Sequence, residues 1–171
     1  MKVTAILITK HKEYPIKLEG FDEVIIVTEC PNIYTRYLTA MKAKNEIIYV
    51  QDDDCIVDYE ELFKHYDGRL TNSMTEHHLN QYKDSGVSLV GWGCFFPKSM
   101  LSVFDKYIAK YGPDDFHLKR EADRIFTYMN QPHNSIVMPH QDLEQTPDRM
   151  SFEPKHYQWA REATVKCRII K

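Results

Sequence analysis

Apolar residues fall along this chain in short dense runs separated by polar breaks. Residues 2–9, rich in Val, Ile and Leu, predict a first strand. Residues 23–28, with Val24, Ile25, Ile26 and Val27 in succession, predict a second. Each run is apolar on both faces, as in parallel strands buried between helices. Between them Tyr14-Pro15 breaks the chain, and a short helix is expected over 16–19 ahead of Gly20. Asn32 is suited to cap a helix running to about Lys44. Its apolar side carries Tyr34, Leu38 and Met41, with Tyr37 and Ala40 near it, and Arg36 falls off that stripe, towards a ligand or water. A third run, Ile47, Ile48, Tyr49 and Val50, ends in Gln51 and three consecutive acids, Asp52, Asp53 and Asp54.

Beyond the acids, residues 58–65 predict a helix carrying Leu62 and Phe63, followed by a turn at Asp67-Gly68. Residues 71–84 are polar, contain His77-His78, and predict a loop or an edge segment. Residues 87–90 predict a strand. Gly91-Trp92-Gly93 is then a bend where backbone can come close to a ligand, and Cys94-Phe95-Phe96 is extended. A helix is expected from Pro97 to about Tyr111 with Met100, Leu101, Phe104 and Ile108 inside. After the loop 112–115, residues 121–130 predict a second amphipathic helix with Ile125, Phe126 and Met129 apolar. Glu121 and Asp123 stand in its first turn, where the helix dipole favours anions. A short strand at 136–138 and a last helix over about 157–166 complete the pattern.

Strand, short helix, strand, helix, strand is the order of a doubly wound nucleotide-binding half. The expectation is therefore a single-domain α/β fold with a Rossmann-like, mixed but mainly parallel sheet flanked by helices. The 171 residues fit one domain with a sizeable core. They divide into a nucleotide-binding half, 1–58, and a second half, 59–171. Lys and Arg number 22 against 25 Asp and Glu, a net charge of -3, which gives no support to nonspecific nucleic-acid binding. Cys30, Cys55, Cys94 and Cys167 show no Cys-x-x-Cys spacing, so reduced thiols and a cytoplasmic setting are expected. No run reaches the roughly 20 apolar residues of a membrane span. The apolar piece at the N-terminus is too short for a signal peptide.

The acid triplet changes the picture most. Three adjacent carboxylates repel one another unless solvated or bound to a cation. Hard oxygen donors suit Mg2+ or Mn2+. In open α/β sheets, ligands bind at the carboxyl ends of the strands, where these acids stand. Thr9, Lys10, His11 and Lys12 end the first strand with a hydroxyl and three potential cations. With Arg36, they describe a place for an anion beside its metal, such as a nucleoside diphosphate bridged by a divalent ion. Glu121 or Asp123 is a candidate general base towards an incoming hydroxyl.

Residues 32–54, Asn-Ile-Tyr-Thr-Arg-Tyr through Ile-Ile-Tyr-Val-Gln-Asp-Asp-Asp, resemble the donor-binding region of glycosyltransferases with the GT-A fold. The hallmark of that family is Asp-x-Asp after a strand, and Asp52-Asp53-Asp54 satisfies it. Residues 89–96 are similar to the acceptor-side strand of such enzymes. Glu121-Ala122-Asp123-Arg124 is similar to their acidic motif, and Asp148-Arg149-Met150-Ser151 with His156 resembles small viral or phage-encoded members. The resemblance implies a metal-dependent transfer of a sugar from a nucleotide-sugar donor, such as a UDP-sugar, to a glycan or other hydroxyl acceptor. It implies a host-cytoplasmic setting for a viral member. Mn2+ or Mg2+ would be held by Asp54, with Asp52 and a late histidine, His156 or His140. Asp52 or Asp53 would face the ribose or sugar. Thr9, Lys10 and Arg36 would touch nucleoside or phosphate, and Gly91, Trp92 and Gly93 would border the donor. Asp123 would be the base of an inverting enzyme, with Glu121 as the alternative. The chain departs from the family in its short length and in its Glu-x-Asp spacing.

A sugar-phosphate nucleotidyltransferase usually has a Gly-rich basic loop after strand one, and Thr9-Lys10-His11-Lys12 has no glycine. A receiver-like domain would place its acids after the first strand, where Thr9-Lys10 stands. A non-catalytic metal- or nucleotide-sugar-binding module is the rival from another class.

Overall fold

The computed structural model describes residues 2–9, 17–82, 84–143 and 154–171. Lys10, the basic residues after it, and the Asp148-Arg149-Met150-Ser151 motif lie outside the described residues. Among the described residues the strands are β1 (Val3–Ile8), β2 (Glu23–Val27), β3 (Ile47–Asp52), β4 (Cys55–Val57), β5 (Thr71–Met74), β6 (Cys94–Pro97), β7 (Asn134–Val137) and β8 (His140–Asp142). The helices are α1 (Thr35–Met41), α2 (Tyr59–Lys64), α3 (Glu76–Tyr82), α4 (Val103–Tyr111), α5 (Phe116–Arg120), α6 (Ala122–Met129) and α7 (His156–Ile170).

Six strands form one sheet in the order β2-β1-β3-β6-β5-β7, and β4 pairs with β8 in a small second sheet. Strand β1 is parallel to both β2 and β3, β6 runs antiparallel to β3 and β5, and β7 is parallel to β5. The fold is thus a single α/β domain with a mostly parallel, mixed sheet, as the run of apolar segments predicts.

Both faces of the central strands are buried. Ile48 and Val50 of β3 and Phe96 of β6 join Tyr37, Phe104, Tyr107 and Phe126 in the larger core, which α7 closes with Ala163 and Cys167. Tyr49 and Phe95 turn to the opposite face and pack with Val3, Ala5 and Leu62. Each such fully buried large side chain contributes roughly 1.5–3 kcal/mol. That exceeds the ~0–1 kcal/mol of an exposed ion pair such as Lys44–Asp22, so the two apolar layers dominate stability. All four cysteines are free thiols. No helix among the described residues is long and apolar enough to cross a membrane.

The structure departs from the expected pattern in several places. Strand β2 lies at a sheet edge, and Val24 and Ile26 face outward, so it is apolar on two faces but buried on one. Residues 17–19 are not helical. Of the expected loop or edge segment at 71–84, residues 71–82 are neither: β5 lies between β6 and β7, and α3 follows it. Residues 87–90 do not form a strand, although Val87 and Val90 are buried. Pro97 ends β6, and a 3-10 turn, Lys98–Ser102, precedes α4.

Helix α1 is also turned relative to its predicted stripe. Arg36, Tyr37 and Ala40 form its buried face with Tyr34, whereas Leu38 and Met41 are exposed. Asn32 stands in the turn before the helix, where its carbonyl accepts the Thr35 N–H at 3.1 Å.

Candidate active site at the carboxyl end of β3

Parallel register places the ends of β1 and β3 on one rim, with Ile8 opposite Asp52 and Thr9 one residue further on. Thr9 is buried there and donates its N–H to the Val27 carbonyl at 3.0 Å. Asp52 donates its N–H to the Gly91 carbonyl at 2.7 Å. Its carboxylate lies directly over the Gly91 Cα, where any Cβ would collide with Oδ2. The bend 91–93 therefore comes close to Asp52 itself. Gly93 takes φ +88, and a Cβ there would stand 2.9 Å from the Tyr49 hydroxyl, so a side chain is excluded by both backbone and space.

Arg36 reaches this carboxylate from α1. Its Nη2 lies 2.9 Å from Asp52 Oδ1 and 3.1 Å from Oδ2. Its Nη1 lies 3.1 Å from Oδ2 of Asp123, the second residue of α6. Tyr37 donates its hydroxyl to Asp123 Oδ1 at 2.7 Å. Neighbouring α1 residues point about 100° apart, which lets Arg36 and Tyr37 approach one carboxylate from two sides. The expectation that Arg36 faces a ligand or water is corrected: its side chain is 6% exposed and its charge is spent on two aspartates.

Burial alone would lower the Arg36 pKa, but Asp123 and Asp52 outweigh it, so the guanidinium stays charged. Burial pushes the Asp123 pKa up, Arg36 pulls it down, Asp52 raises it and the Tyr37 hydrogen bond lowers it, with a net rise. Two carboxylates against one guanidinium leave the cluster negative when both are ionised. Both aspartate side chains keep 28% of their surface open, enough for a ligand to reach them.

Asp53 and Asp54 form the turn between β3 and β4 and are half-buried. The Asp54 carbonyl accepts the Leu143 N–H at 2.8 Å, which ties this turn to the end of β8.

Glu121 precedes Asp123 by two residues and faces different surroundings. It is 5% exposed, with Oε2 3.7 Å from Arg124 Nε and Oε1 3.6 Å from His156 Nδ1. Burial raises its pKa to about 7, against the pull of Arg124. Burial, then Arg124 and Arg120, lower the pKa of His156, which keeps that ring neutral at pH 7. Arg120 stacks over the Trp159 ring at 4.3 Å. Behind this cluster, Asp115 caps α5 by accepting the His117 and Leu118 N–H groups at 3.0 and 3.1 Å, and it pairs with Lys166 of α7. The start of α5, the helix that leads into α6, is thereby held against α7.

Among the described residues no group of three His, Cys, Asp or Glu side chains is placed to hold a metal ion. Asp52, Asp54 and His156 are thus not gathered into one ligand set, and His156 lies beside Glu121 instead. The side chain of His140 is outside the described residues. Asp52 ends β3 and Asp54 stands two residues on in the turn, so the turn offers two carboxylates rather than a complete ligand set. Mg2+ is commonly held by one or two carboxylates, with phosphate oxygens and water completing its shell.

Tyr37 is the site residue that sequence reasoning overlooks. Hydrophobic periodicity counts it as core, which it is, while its hydroxyl needs a partner inside. No protein-family model and no curated protein sequence matches the chain, so its chemistry has to be read from this geometry.

Proposed function

We propose that this protein is a metal-dependent glycosyltransferase of the GT-A kind, moving a sugar from a nucleotide-sugar donor, such as a UDP-sugar, to a hydroxyl acceptor. One observation carries the reading. The acid ending β3 and the acid opening α6 lie on either side of a single buried arginine, at the carboxyl end of a mainly parallel sheet. The mixed sheet with one antiparallel strand agrees with it, as does the Asp-x-Asp turn that follows β3.

In this reading Asp123 is the base. It takes the proton of the acceptor hydroxyl as the new C–O bond forms at the anomeric carbon. The bond to the diphosphate breaks, and its electron pair leaves with the phosphate oxygen. A carboxylate whose pKa is raised by burial is a stronger base than an ordinary one. Tyr37 and Arg36 each use one Asp123 oxygen, and carboxylate oxygens have further lone pairs for the incoming hydroxyl. Asp52 and Asp54 would hold Mn2+ or Mg2+ together with the diphosphate. When bound, the ion supplies Lewis-acid stabilisation of the departing charge. Arg36 fixes the separation of the two acids.

The test is a thermal-shift panel of nucleoside diphosphates and nucleotide sugars with and without Mn2+, followed by donor hydrolysis. A ligand at about 100 times its Kd adds roughly 2.7 kcal/mol to the folded state. Stabilisation by one nucleotide, dependent on the ion, is expected. No shift with any nucleotide, with or without the ion, would sink the reading.

A further inference from the structure

A second concavity lies away from the acid pair. A cavity of about 450 Å3 opens between α3, the segment 86–87 and the 131–135 stretch that leads into β7. That volume is within the roughly 300–1,000 Å3 range of small-molecule sites. Its lining is of two kinds. Met74, Leu79 and Pro132 offer apolar surface, while Tyr82, His133 and Ser135 carry groups that make hydrogen bonds. Asp, Glu, Lys and Arg are absent among its described lining residues. His133 is neutral: burial lowers its pKa, and its Nε2–H donates to the Thr127 carbonyl at 2.6 Å, leaving Nδ1 as an acceptor. Among the described residues the lining is uncharged and mixes apolar with hydrogen-bonding groups, so it has no fixed charge for a phosphate or a metal ion. It matches a ring with apolar C–H faces and hydroxyl edges.

A row of rings also runs from the cavity to Trp92. Trp92 follows Gly91, the residue beneath the Asp52 carboxylate. The Trp92 ring meets His78 edge-on at 4.4 Å, and His78 stacks at 9° on Tyr82, 6.3 Å away, which lines the cavity. Thr75 holds His78 in place with a 2.7 Å hydrogen bond to Nδ1. The far wall is fixed by Gln131, whose Nε2 donates to the Gly86 carbonyl at 2.9 Å.

We infer that this cavity binds a neutral saccharide and is the acceptor site, with the Trp92–His78–Tyr82 row leading from it towards the acid pair. This rests on the glycosyltransferase reading. The probes are neutral hexose and N-acetylhexosamine disaccharides, observed by saturation-transfer NMR on the wild type and on Leu79→Trp, which fills the cavity, and Tyr82→Ala, which opens its wall. Circular dichroism melts check that each variant is folded, and either folded variant suffices. At least one disaccharide should bind the wild type, and affinity should fall roughly tenfold or more in the variants, the loss of about one good contact. Failure of every disaccharide to bind, or equal binding in wild type and variants, overturns the assignment. The nucleotide thermal shift is read on the same wild-type sample. A nucleotide shift without saccharide binding overturns the cavity assignment alone. Saccharide binding that the variants lose, without any nucleotide shift, upholds the cavity as a saccharide site and overturns the transferase reading.

Discussion

Arg36 and Asp123 stand 87 residues apart in the chain and 3.1 Å apart in space. The same guanidinium holds Asp52, so one buried cation joins the two halves of the chain at the place where their acids meet. Without it, two partly shielded carboxylates would face each other.

Arg36→Ala should therefore act first on stability. Removing one partner from a buried ion pair costs about 3–5 kcal/mol, and the part-open aspartates bring the expectation to roughly 2–4 kcal/mol. Urea unfolding of the two proteins measures it. A loss below about 0.5 kcal/mol, the usual size of a surface change, would mean that Arg36 is not the clip described here.

Asp123→Asn should lower sugar transfer roughly 100-fold or more, in the range of lost general acid–base catalysis, with donor affinity little changed. Turnover with saturating donor and a working acceptor is the measurement, with Glu121→Gln alongside. Normal turnover in Asp123→Asn together with loss in Glu121→Gln would move the base to Glu121.

Tyr37→Phe removes a hydrogen bond that lowers the Asp123 pKa. The pKa should rise, so the base ionises at higher pH, and the acidic limb of the pH–rate profile should move to more alkaline values. An unmoved limb would separate Asp123 from the rate-determining proton transfer.

Asp54→Asn should abolish ion-dependent nucleotide stabilisation while leaving the apo protein at least as stable, since one of three repelling charges is gone. An undiminished, ion-dependent thermal shift would remove Asp54 from the donor site.

Glu121 sets a pH dependence of folding. Its native pKa of about 7 lies above the ordinary value of 4.5, so between those values the folded chain keeps a proton that the unfolded chain has lost. The stability that Glu121 contributes therefore falls as pH rises through that window. Glu121→Gln should remove about 1–3 kcal/mol of that fall, leaving a remainder from Asp123, whose pKa is also raised, and an opposing rise from His133 and His156, whose pKa values burial lowers. Denaturation midpoints at pH 5 and pH 8 decide it, and identical slopes would refute the buried, protonated Glu121.

The first three strands and the acid turn were legible because β-branched runs and a strand end crowded with aspartates leave few alternatives. Helix α6 was legible from the spacing of Ile125, Phe126 and Met129. Strand β5 was not, because Thr71, Asn72 and Ser73 are polar and yet fully buried. The Asn72 Oδ1 accepts from Ser88 and Ser135, two residues remote in sequence, and periodicity registers only the polarity. Val87 and Val90 misled in the opposite sense: they are buried in a loop and pair with no strand among the described residues. The inward turn of Arg36 was hidden for the same reason as β5. A buried charge is intelligible only once Asp52 and Asp123 are seen beside it.

The strand order has a consequence for the chain as it is made. Strands β2, β1 and β3 come from the first part of the chain and β6, β5 and β7 from the rest, so the seam of the sheet is the β3–β6 pairing, with Tyr49 opposite Phe95. On a ribosome adding about 5–20 residues per second, the roughly 40 residues between the two strands take about 2–8 s. For those seconds the nascent chain carries Ile48, Tyr49 and Val50 on an open edge with no strand to cover it, a ready template for another copy. A synonymous codon change that slows translation between residues 52 and 94 would lengthen that exposure without altering one amino acid.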